Sequence, residues 1–267
     1  MQDTVNLAKS IRRNALLMVH KAQASHIASA LSIADIIAVL YGSIMRYEIK
    51  NINSPSRDRF ILSKGHACVA VYGALAEVGI LKKDDLETYG LNFSPLMNHI
   101  SHKIKGVEFS TGSLGHGLPF GVGKALSGRI NRASWRTFVL LSDGEMDEGS
   151  NWEALMFAAH HELNNLTAII DYNKLQSLRS VDSTVSLEPL ADKIRAFNWH
   201  VREVDGHSHE DLLDALSYRS INKPNIIIAH TVKGKGVDFM EHKVEWHYKS
   251  PTKNQLADAL AQLESDL

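Results

Sequence analysis

Short apolar runs alternate along the chain with longer segments in which apolar residues recur at helical spacing. Apolar runs that end in polar or glycine residues are typical of buried strands. They predict strands at 60–62, 137–141, 166–170, 201–204 and 224–229. The longer segments predict helices at 4–22, 32–45, 67–78, 82–89, 118–130, 150–162, 187–197, 208–217 and 253–266. Strands that alternate with helices predict an α/β fold, with a mostly parallel sheet flanked by helices.

The stretch 140–176 combines this alternation with polar residues that suit a metal site. Its strand–helix–strand pattern predicts two parallel strands, the first ending at Asp143 and the second delivering Asn173. Both residues would then lie at the carboxyl edge of the sheet, where open α/β sheets bind ligands. Carboxylate and amide oxygens are hard donors, which suit Mg²⁺ or Ca²⁺ better than zinc.

Two side chains give either cation an incomplete shell, and Mg²⁺ typically adds water and substrate phosphate. The pattern therefore implies a phosphorylated ligand. Gly144 would let the backbone approach that phosphate, and Ser150 would cap the next helix so that its positive end faces the anion. Alternatively, Asp143 and Asn173 are ordinary turn residues at strand ends.

The composition is that of a globular protein and points to no particular binding partner. The chain has 267 residues, 44% hydrophobic and 22% charged, with a net charge of -1. This balance gives no electrostatic case for nucleic acid or an anionic membrane. The apolar stretch 27–44 contains Asp35 and therefore predicts a buried helix rather than a membrane span. A single cysteine, Cys68, and the lack of a secretory signal pattern favour the cytoplasm.

Local patterns also predict how the N-terminal helices are arranged. In the segment 4–22 the apolar positions follow a helical rhythm that leaves Arg12 facing solvent. Ser32, with Asp35 three residues later, is close to a capping box and predicts the start of the second helix.

The order of Asp143, Gly144 and Asn173 resembles the thiamine diphosphate motif of transketolases, Gly-Asp-Gly followed later by Asn. Ser142 stands where that family has its first glycine. The resemblance implies that Asp143, Asn173 and the main-chain carbonyl of Leu175 bind Mg²⁺ or Ca²⁺. It also implies that Asp143, Gly144 and Asn173 contact the cofactor.

Two further segments extend the resemblance around the cofactor. The first, 57–66, reads Arg-Asp-Arg-Phe-Ile-Leu-Ser-Lys-Gly-His and ends at His66, the position that contacts thiamine diphosphate in transketolases. The second reads Thr-Gly-Ser-Leu-Gly-His-Gly and implies that Gly112, Ser113 and Leu114 line the aminopyrimidine side of the cofactor. A dinucleotide-binding fingerprint in the same glycines would need a strand directly before it, and the preceding residues are polar.

Three histidines acquire catalytic roles from the resemblance. His26 lies where transketolases have Ser-Gly-His-Pro-Gly, although the proline and the second glycine are missing here. His99 matches the histidine of a family Gly-His-Pro-Glu, with His102 as the competing candidate. His247 matches a histidine that contacts the cofactor diphosphate or the substrate, with His242 as a weaker candidate. Without the resemblance, each would be an ordinary loop histidine.

Charged residues near these motifs have two interpretations each. By resemblance, Glu148 is catalytic: it lies at a dimer interface and joins a proton relay between two active sites. As an acidic residue in the first turn of a helix, it would also suit the helix dipole. Lys233 and Lys235 lie in a loop that resembles a transketolase loop, so they either face a diphosphate or belong to a solvated, flexible loop.

The resemblance implies the N-terminal subunit of a split transketolase, which transfers a two-carbon ketol unit from a ketose to an aldose. Transketolases take the glutamate that activates the cofactor from a separate pyrimidine-binding domain. We expect residues 1–267 to form one thiamine-diphosphate-binding domain, without pyrimidine-binding and C-terminal domains. The chain would be active on sugars or sugar phosphates only with a separate C-terminal subunit, in an α2β2 assembly.

Three alternatives stay open. The chain could be half of another thiamine enzyme, of the 1-deoxyxylulose-phosphate synthase or dehydrogenase kind. It could be a non-catalytic subunit that binds the cofactor. It could also be an unrelated phosphate-binding α/β module.

Overall fold

Five parallel strands form one sheet in the computed structural model, which describes residues 2–265. The strand order is β1-β2-β3-β5-β4. The strands are β1 (Arg59–Leu62), β2 (Thr137–Ser142), β3 (Leu166–Tyr172), β4 (His200–Asp205) and β5 (Asn225–His230). Every neighbouring pair is parallel, which confirms the predicted α/β sheet.

Helices cover both faces of the sheet. The longer ones are α1 (Gln2–Ala22), α4 (Cys68–Glu77), α5 (Gly117–Ile130), α6 (Gly149–His160), α9 (His209–Ser217) and α10 (Lys253–Ser265). The shorter ones are α2 (Ile27–Ser32), α3 (Ala34–Val39), α7 (Val181–Thr184) and α8 (Leu190–Ala196). Short 3-10 segments include Gly65–Ala67, Lys83–Thr88, Gly144–Asp147 and Val244–His247. The predicted helix at 82–89 is therefore one of these 3-10 segments.

The side chains of β2 show how the two faces form separate cores. Phe138 and Leu140 pack into a cluster with α1 to α4, α9 and α10. Val139 and Leu141 pack into a second cluster with α5, α6 and α8. Successive residues of a strand point to opposite faces, so a wholly apolar strand indicates that both faces are buried. No helix within residues 2–265 combines the length and apolar character that a membrane crossing requires.

The predicted second helix differs from the observed one at both ends. The helical segment begins at Ile27, breaks at Ile33 and ends in a π-helical turn, Leu40–Ile44. Ser32 is therefore not an N-cap. It is the last residue of α2, and its hydroxyl donates to Ser29 O and to a carboxylate oxygen of Asp171.

Two other local predictions are also wrong. Arg12 does not face solvent: it is buried and its guanidinium binds both carboxylate oxygens of Asp35. Ser150 does not cap α6, because Glu148 precedes that helix and Ser150 Oγ instead donates to Gly115 O at 2.6 Å. In each case a tertiary partner satisfies the side chain that local spacing assigned to solvent or to a helix end.

Candidate active site

A cavity of about 260 Å³ opens at the carboxyl edge of the sheet, beside the ends of β2 and β3. Most of the residues singled out in the sequence line it: His26, His66, His99, Gly112, Leu114, Asp143, Gly144, Asn173, Leu175 and His247. The other candidates lie outside its lining: Ser113, Glu148, Ser150, Lys235, His102 and His242. Of the competing histidines, His99 and His247 thus reach the cavity, and His102 and His242 do not.

Asp143 is a buried carboxylate with an unusual environment. It follows β2, and it accepts hydrogen bonds from the amides of Gly144 (2.7 Å) and Lys174 (2.5 Å). Burial, together with the nearby Asp171 carboxylate, raises the pKa of Asp143 to about 7. Among residues 2–265 no lysine or arginine forms an ion pair with it, because the buried Lys64 pairs with Asp171. A bound cation would supply the missing positive charge.

The side-chain amide of Asn173 is oriented by Asp171. Its Nδ2 donates to Asp171 Oδ2 at 2.9 Å, so its Oδ1 points the other way. Asp171 is wholly buried and also accepts from Lys64, from Ser32 and from the Thr231 hydroxyl. Burial alone would raise the pKa of Asp171, yet Lys64 and these hydrogen bonds hold it below its usual value. Asp171 therefore remains ionised and fixes which atom of Asn173 can serve as a ligand.

Leu175 lines the cavity together with Asp143 and Asn173, so its carbonyl is a third candidate oxygen donor. Lys233 Nζ donates to the carbonyls of Leu175 and Gln176, both at 2.9 Å, and lies 3.1 Å from His247 Nδ1. No group of three or more His, Cys, Asp or Glu within residues 2–265 could hold a metal. Oxygen donors alone would suit a hard cation, and we call Asp143, Asn173 and the Leu175 carbonyl the metal end of the cavity.

Backbone at the metal end leaves little room for added side chains. A Cβ on Gly144 would lie 2.9 Å from the side chain of Gln176. A Cβ on Gly112 would lie 3.2 Å from the ring of His99. A larger residue at either position would therefore have to displace a side chain that lines the cavity.

Two lysines are buried beside this end. Lys64 and Lys233 are each 1% exposed. Burial, reinforced by the charge of Lys64, lowers the pKa of Lys233 to about 8. The interpretation of a solvated loop is thus wrong for Lys233, whereas Lys235 is half-exposed and lies near Glu241.

Four imidazole rings, His26, His66, His99 and His247, form what we call the histidine cluster. The His26 ring centroid lies 5.0 Å from those of His66 and His247, and 5.9 Å from that of His99. Burial, followed by nearby charges, lowers the pKa of His26 to about 4 and that of His247 to about 3. Burial also lowers the pKa of His66 and of His99. At neutral pH all four rings are therefore uncharged and can donate or accept hydrogen bonds.

His26 adopts a left-handed backbone conformation, with φ of 72°. This conformation is costly for a residue other than glycine, by roughly 1–3 kcal/mol, and often marks functional sites. The His26 amide donates to His247 O at 2.9 Å, which ties the two histidine segments together. The loop thus reaches the site by a strained turn in place of the proline and glycine of the transketolase motif.

Several site residues gave no signal when the sequence was considered alone. Lys64, Asp171 and Glu145 are buried polar residues whose partners lie far away in the chain. Glu145 accepts from the amide of Gly115 at 2.9 Å, from that of Ser142 and from Ser63, so it joins three cavity loops. Burial raises the pKa of Glu145. The signal that could have identified them is a charged residue within or directly after an apolar strand: Lys64 follows β1, Glu145 follows β2 and Asp171 lies in β3.

Comparisons with known proteins agree with this geometry. The sequence matches the family described as transketolase, thiamine diphosphate binding domain, over residues 4–263. It is 39% identical over 266 residues to an apulose-4-phosphate transketolase subunit of Phocaeicola vulgatus, covering 98% of this chain and 94% of that one. It is 37% identical over 267 residues to a 6-deoxy-6-sulfo-D-fructose transketolase subunit of Clostridium sp., covering 99% and 97%.

Solved structures give the same result. Transketolase from Campylobacter jejuni is similar with a TM-score of 0.93 at 28% identity, over 99% of this chain and 43% of that one. Transketolase from Leishmania mexicana is similar with a TM-score of 0.92 at 28% identity, over 100% and 42%. The chain thus spans less than half the length of these solved transketolases. The family match, the relatives of nearly equal length and the shared fold show that the protein belongs to the transketolase family, as its N-terminal, thiamine-diphosphate-binding domain.

Proposed function

We propose that the protein is the cofactor-binding subunit of a split transketolase, which moves a two-carbon ketol unit from a ketose to an aldose. The single observation that carries this proposal is the cavity itself. In one space it joins an all-oxygen metal end to a cluster of four neutral imidazoles. The first arrangement suits a metal-bound diphosphate, and the second suits a polyhydroxylated substrate.

At the metal end, Asp143, Asn173 and the Leu175 carbonyl would hold Mg²⁺, or Ca²⁺ in its place. The backbone at Gly112 and Gly144 would pass close to the cofactor, with Ser113 and Leu114 beside the aminopyrimidine. When bound, thiamine diphosphate supplies the electron sink for cleavage between C2 and C3 of the ketose. The contribution of the chain is to position the three oxygen donors, each of which forms hydrogen bonds with other groups of the chain.

The histidine cluster would bind sugar hydroxyls and move protons to and from them. An uncharged imidazole offers one donor and one acceptor, so neighbouring rings can hold a hydroxyl on both sides. His26, His99 and His247 would be catalytic residues, and His66 and His247 would also contact the cofactor. Because burial keeps the rings neutral, a ring that accepts a proton in the reaction readily releases it again.

We further propose that a second polypeptide completes the active site. Relatives that cover nearly the same length are named as transketolase subunits, which supports a separate partner chain. That chain would carry the pyrimidine-binding domain and its activating glutamate, in an α2β2 assembly. Glu148 is exposed at the start of α6, where it could take part in a contact between copies and in a proton relay.

Native mass spectrometry of the protein purified from its own cells, with Mg²⁺ and thiamine diphosphate present, tests the proposal. The expected result is a complex with a second chain of comparable size that carries the mass of the cofactor. That complex should transfer ketol units from a ketose phosphate to an aldose phosphate, without release of CO2.

Other results would point to the alternatives. Release of CO2 would identify a different thiamine enzyme, and cofactor binding without turnover in any mixture would indicate a non-catalytic binding role. A homo-oligomer without cofactor would contradict the catalytic proposal.

A further inference from the structure

The loop that carries Lys233 is held by a histidine that does not line the cavity. His207 follows β4, and its Nε2 accepts a hydrogen bond from the amide of Val232 at 2.8 Å. Its Nδ1 lies 2.7 Å from Asp35 Oδ2. One ring thus connects a carboxylate in α3 to the residue directly before Lys233.

Asp35 is a rigid anchor for this ring. Its side chain is 7% exposed, and Arg12 binds both of its oxygens, at 3.0 and 2.5 Å. His209 Nε2 lies 3.1 Å from Asp35 Oδ1, the oxygen that His207 does not contact. Arg12 and its hydrogen bonds hold the pKa of Asp35 well below its usual value although burial opposes this. Asp35 therefore stays an acceptor.

The two partners of His207 permit only one tautomer. The Val232 amide is a donor, so His207 Nε2 must carry the lone pair. The ring proton must then lie on Nδ1, where it is donated to Asp35. Neither bond could form in this way with the other tautomer, so the two contacts together select the tautomer and the orientation of the ring.

The hydrogen bond at Val232 bears on the cavity because the next residue in the chain, Lys233, lines it. Val232 is followed by Lys233, whose Nζ contacts the carbonyls of Leu175 and Gln176 and the ring of His247. A shift of the Val232 amide would move the base of that side chain. The structure also places glycines with positive φ at 234 and 236, so this loop is tightly turned on its other side.

We propose that His207 is a positioning residue, which holds the Val232 amide and thereby keeps Lys233 directed at the metal end and His247. The expected effect on cofactor affinity rests on the function proposed above. The expected effect on the order of the loop 231–236 rests only on hydrogen bonds within the chain.

Two substitutions separate the two bonds of the ring. In His207→Gln, the side-chain carbonyl can reach the Nε2 position and accept from Val232. In His207→Asn, the amide can reach only the Nδ1 position, so the bond to Asp35 is kept and that to Val232 is lost. His209→Asn is the matched control, because His209 touches the same carboxylate but bonds to Thr4 rather than to the loop.

Hydrogen exchange followed by mass spectrometry on the cofactor-free protein tests the loop directly. We expect faster exchange at 231–236 in His207→Asn, and near wild-type exchange in His207→Gln and His209→Asn. Calorimetric titration with Mg²⁺ and thiamine diphosphate should show affinity weakened about tenfold in His207→Asn, because binding would then have to order Lys233 without the hydrogen bond at Val232. In His207→Gln it should stay within about threefold.

Equal exchange in His207→Asn and in the wild type, or an equal effect in His209→Asn, would overturn the proposal. Unchanged cofactor affinity in His207→Asn would overturn it as well, even with faster exchange. A wild-type protein that binds no cofactor would refute the proposed function instead. In that case faster exchange at 231–236 in His207→Asn alone would still support the positioning role.

Discussion

The metal end and the histidine cluster share one cavity, but they balance charge in opposite ways. At the metal end, Asp143 is buried without an ion-pair partner among residues 2–265, and its pKa is raised to about 7. In the histidine cluster, burial lowers the pKa of each ring, so the rings stay neutral and need no counter-charge. Within residues 2–265 the metal end thus contains a buried carboxylate without an ion-pair partner, whereas the rings of the histidine cluster carry no charge that needs one.

The metal end and the histidine cluster also differ in the contacts that fix their residues. Asn173 and Leu175 are each held by a buried charged group: Asn173 Nδ2 donates to the Asp171 carboxylate, and Lys233 Nζ donates to the Leu175 carbonyl. The histidines contact each other mainly through their rings, and a backbone bond joins His26 to His247. Substitutions at the metal end should therefore abolish binding, and those in the histidine cluster should mainly slow the reaction.

The largest effect is expected for Asp143→Ala. It removes the only ionised ligand of the metal end, so Mg²⁺-dependent binding of thiamine diphosphate should weaken by about 100-fold or more. Calorimetric titration at fixed Mg²⁺ measures this. Asp192→Ala, on the exposed surface of α8, is the control. Unchanged affinity in Asp143→Ala would mean that Asp143 is only a turn residue.

The next largest effect is expected for His26→Asn. Asparagine tolerates the left-handed backbone of this position, so the variant should fold. In the assembled enzyme kcat/KM should fall about 10²- to 10⁴-fold, the range typical of a lost proton-transfer group. Cofactor affinity should stay within about tenfold of the wild type, because His26 lies outside the metal end. The control is His102→Asn, which removes an exposed histidine, and equal kinetics in both variants would contradict the role of His26.

Stability should respond to pH through the histidine cluster. Between pH 6.5 and about 4, the unfolded chain binds protons at His26 and His247 that the folded chain excludes. The free energy of unfolding therefore falls on acidification through this window. Replacing both residues by Asn should reduce that loss by about 1–2 kcal/mol, allowing for solvent screening.

Urea unfolding at pH 7.0, 5.5 and 4.5 measures the loss for the wild type and the double variant. Asp143 contributes with the opposite sign, since its raised pKa favours the folded state on acidification, and both proteins retain it. Parallel pH curves for the two proteins would show that these histidines do not stay neutral when the chain is folded.

The smallest effect is expected at the mouth of the cavity. Tyr248 lines the cavity but is exposed, and its ring lies 4.7 Å from that of His247 and 5.8 Å from that of His26. Tyr248→Gly removes these contacts and should lower kcat/KM about 2- to 10-fold. Tyr248→Phe keeps them and should change it less than about twofold. An equal loss in both variants, measured with one ketose and one aldose, would instead assign the effect to the hydroxyl.

Much of the site could be predicted because its residues lie in short motifs at the ends of apolar runs. Asp143 and Asn173 follow β2 and β3, and the register that pairs Ser142 with Asp171 brings them to one edge. His66, Gly112 and His247 were found through the family resemblance, and all three line the cavity. His99 was preferred to His102 through the family resemblance alone, because both lie in an irregular segment without periodicity, and of the two it is His99 that lines the cavity.

By itself the sequence determined the strands, most helices and the polar residues that end at one edge of the sheet. These features depend on local periodicity and on short motifs, which the order of residues encodes directly. Tertiary structure alone decided that β5 lies between β3 and β4, that Arg12 is buried on Asp35, and that Lys64 neutralises Asp171. Such pairs join residues far apart in the chain, and their partners are set by how helices pack on the sheet, which local spacing does not encode.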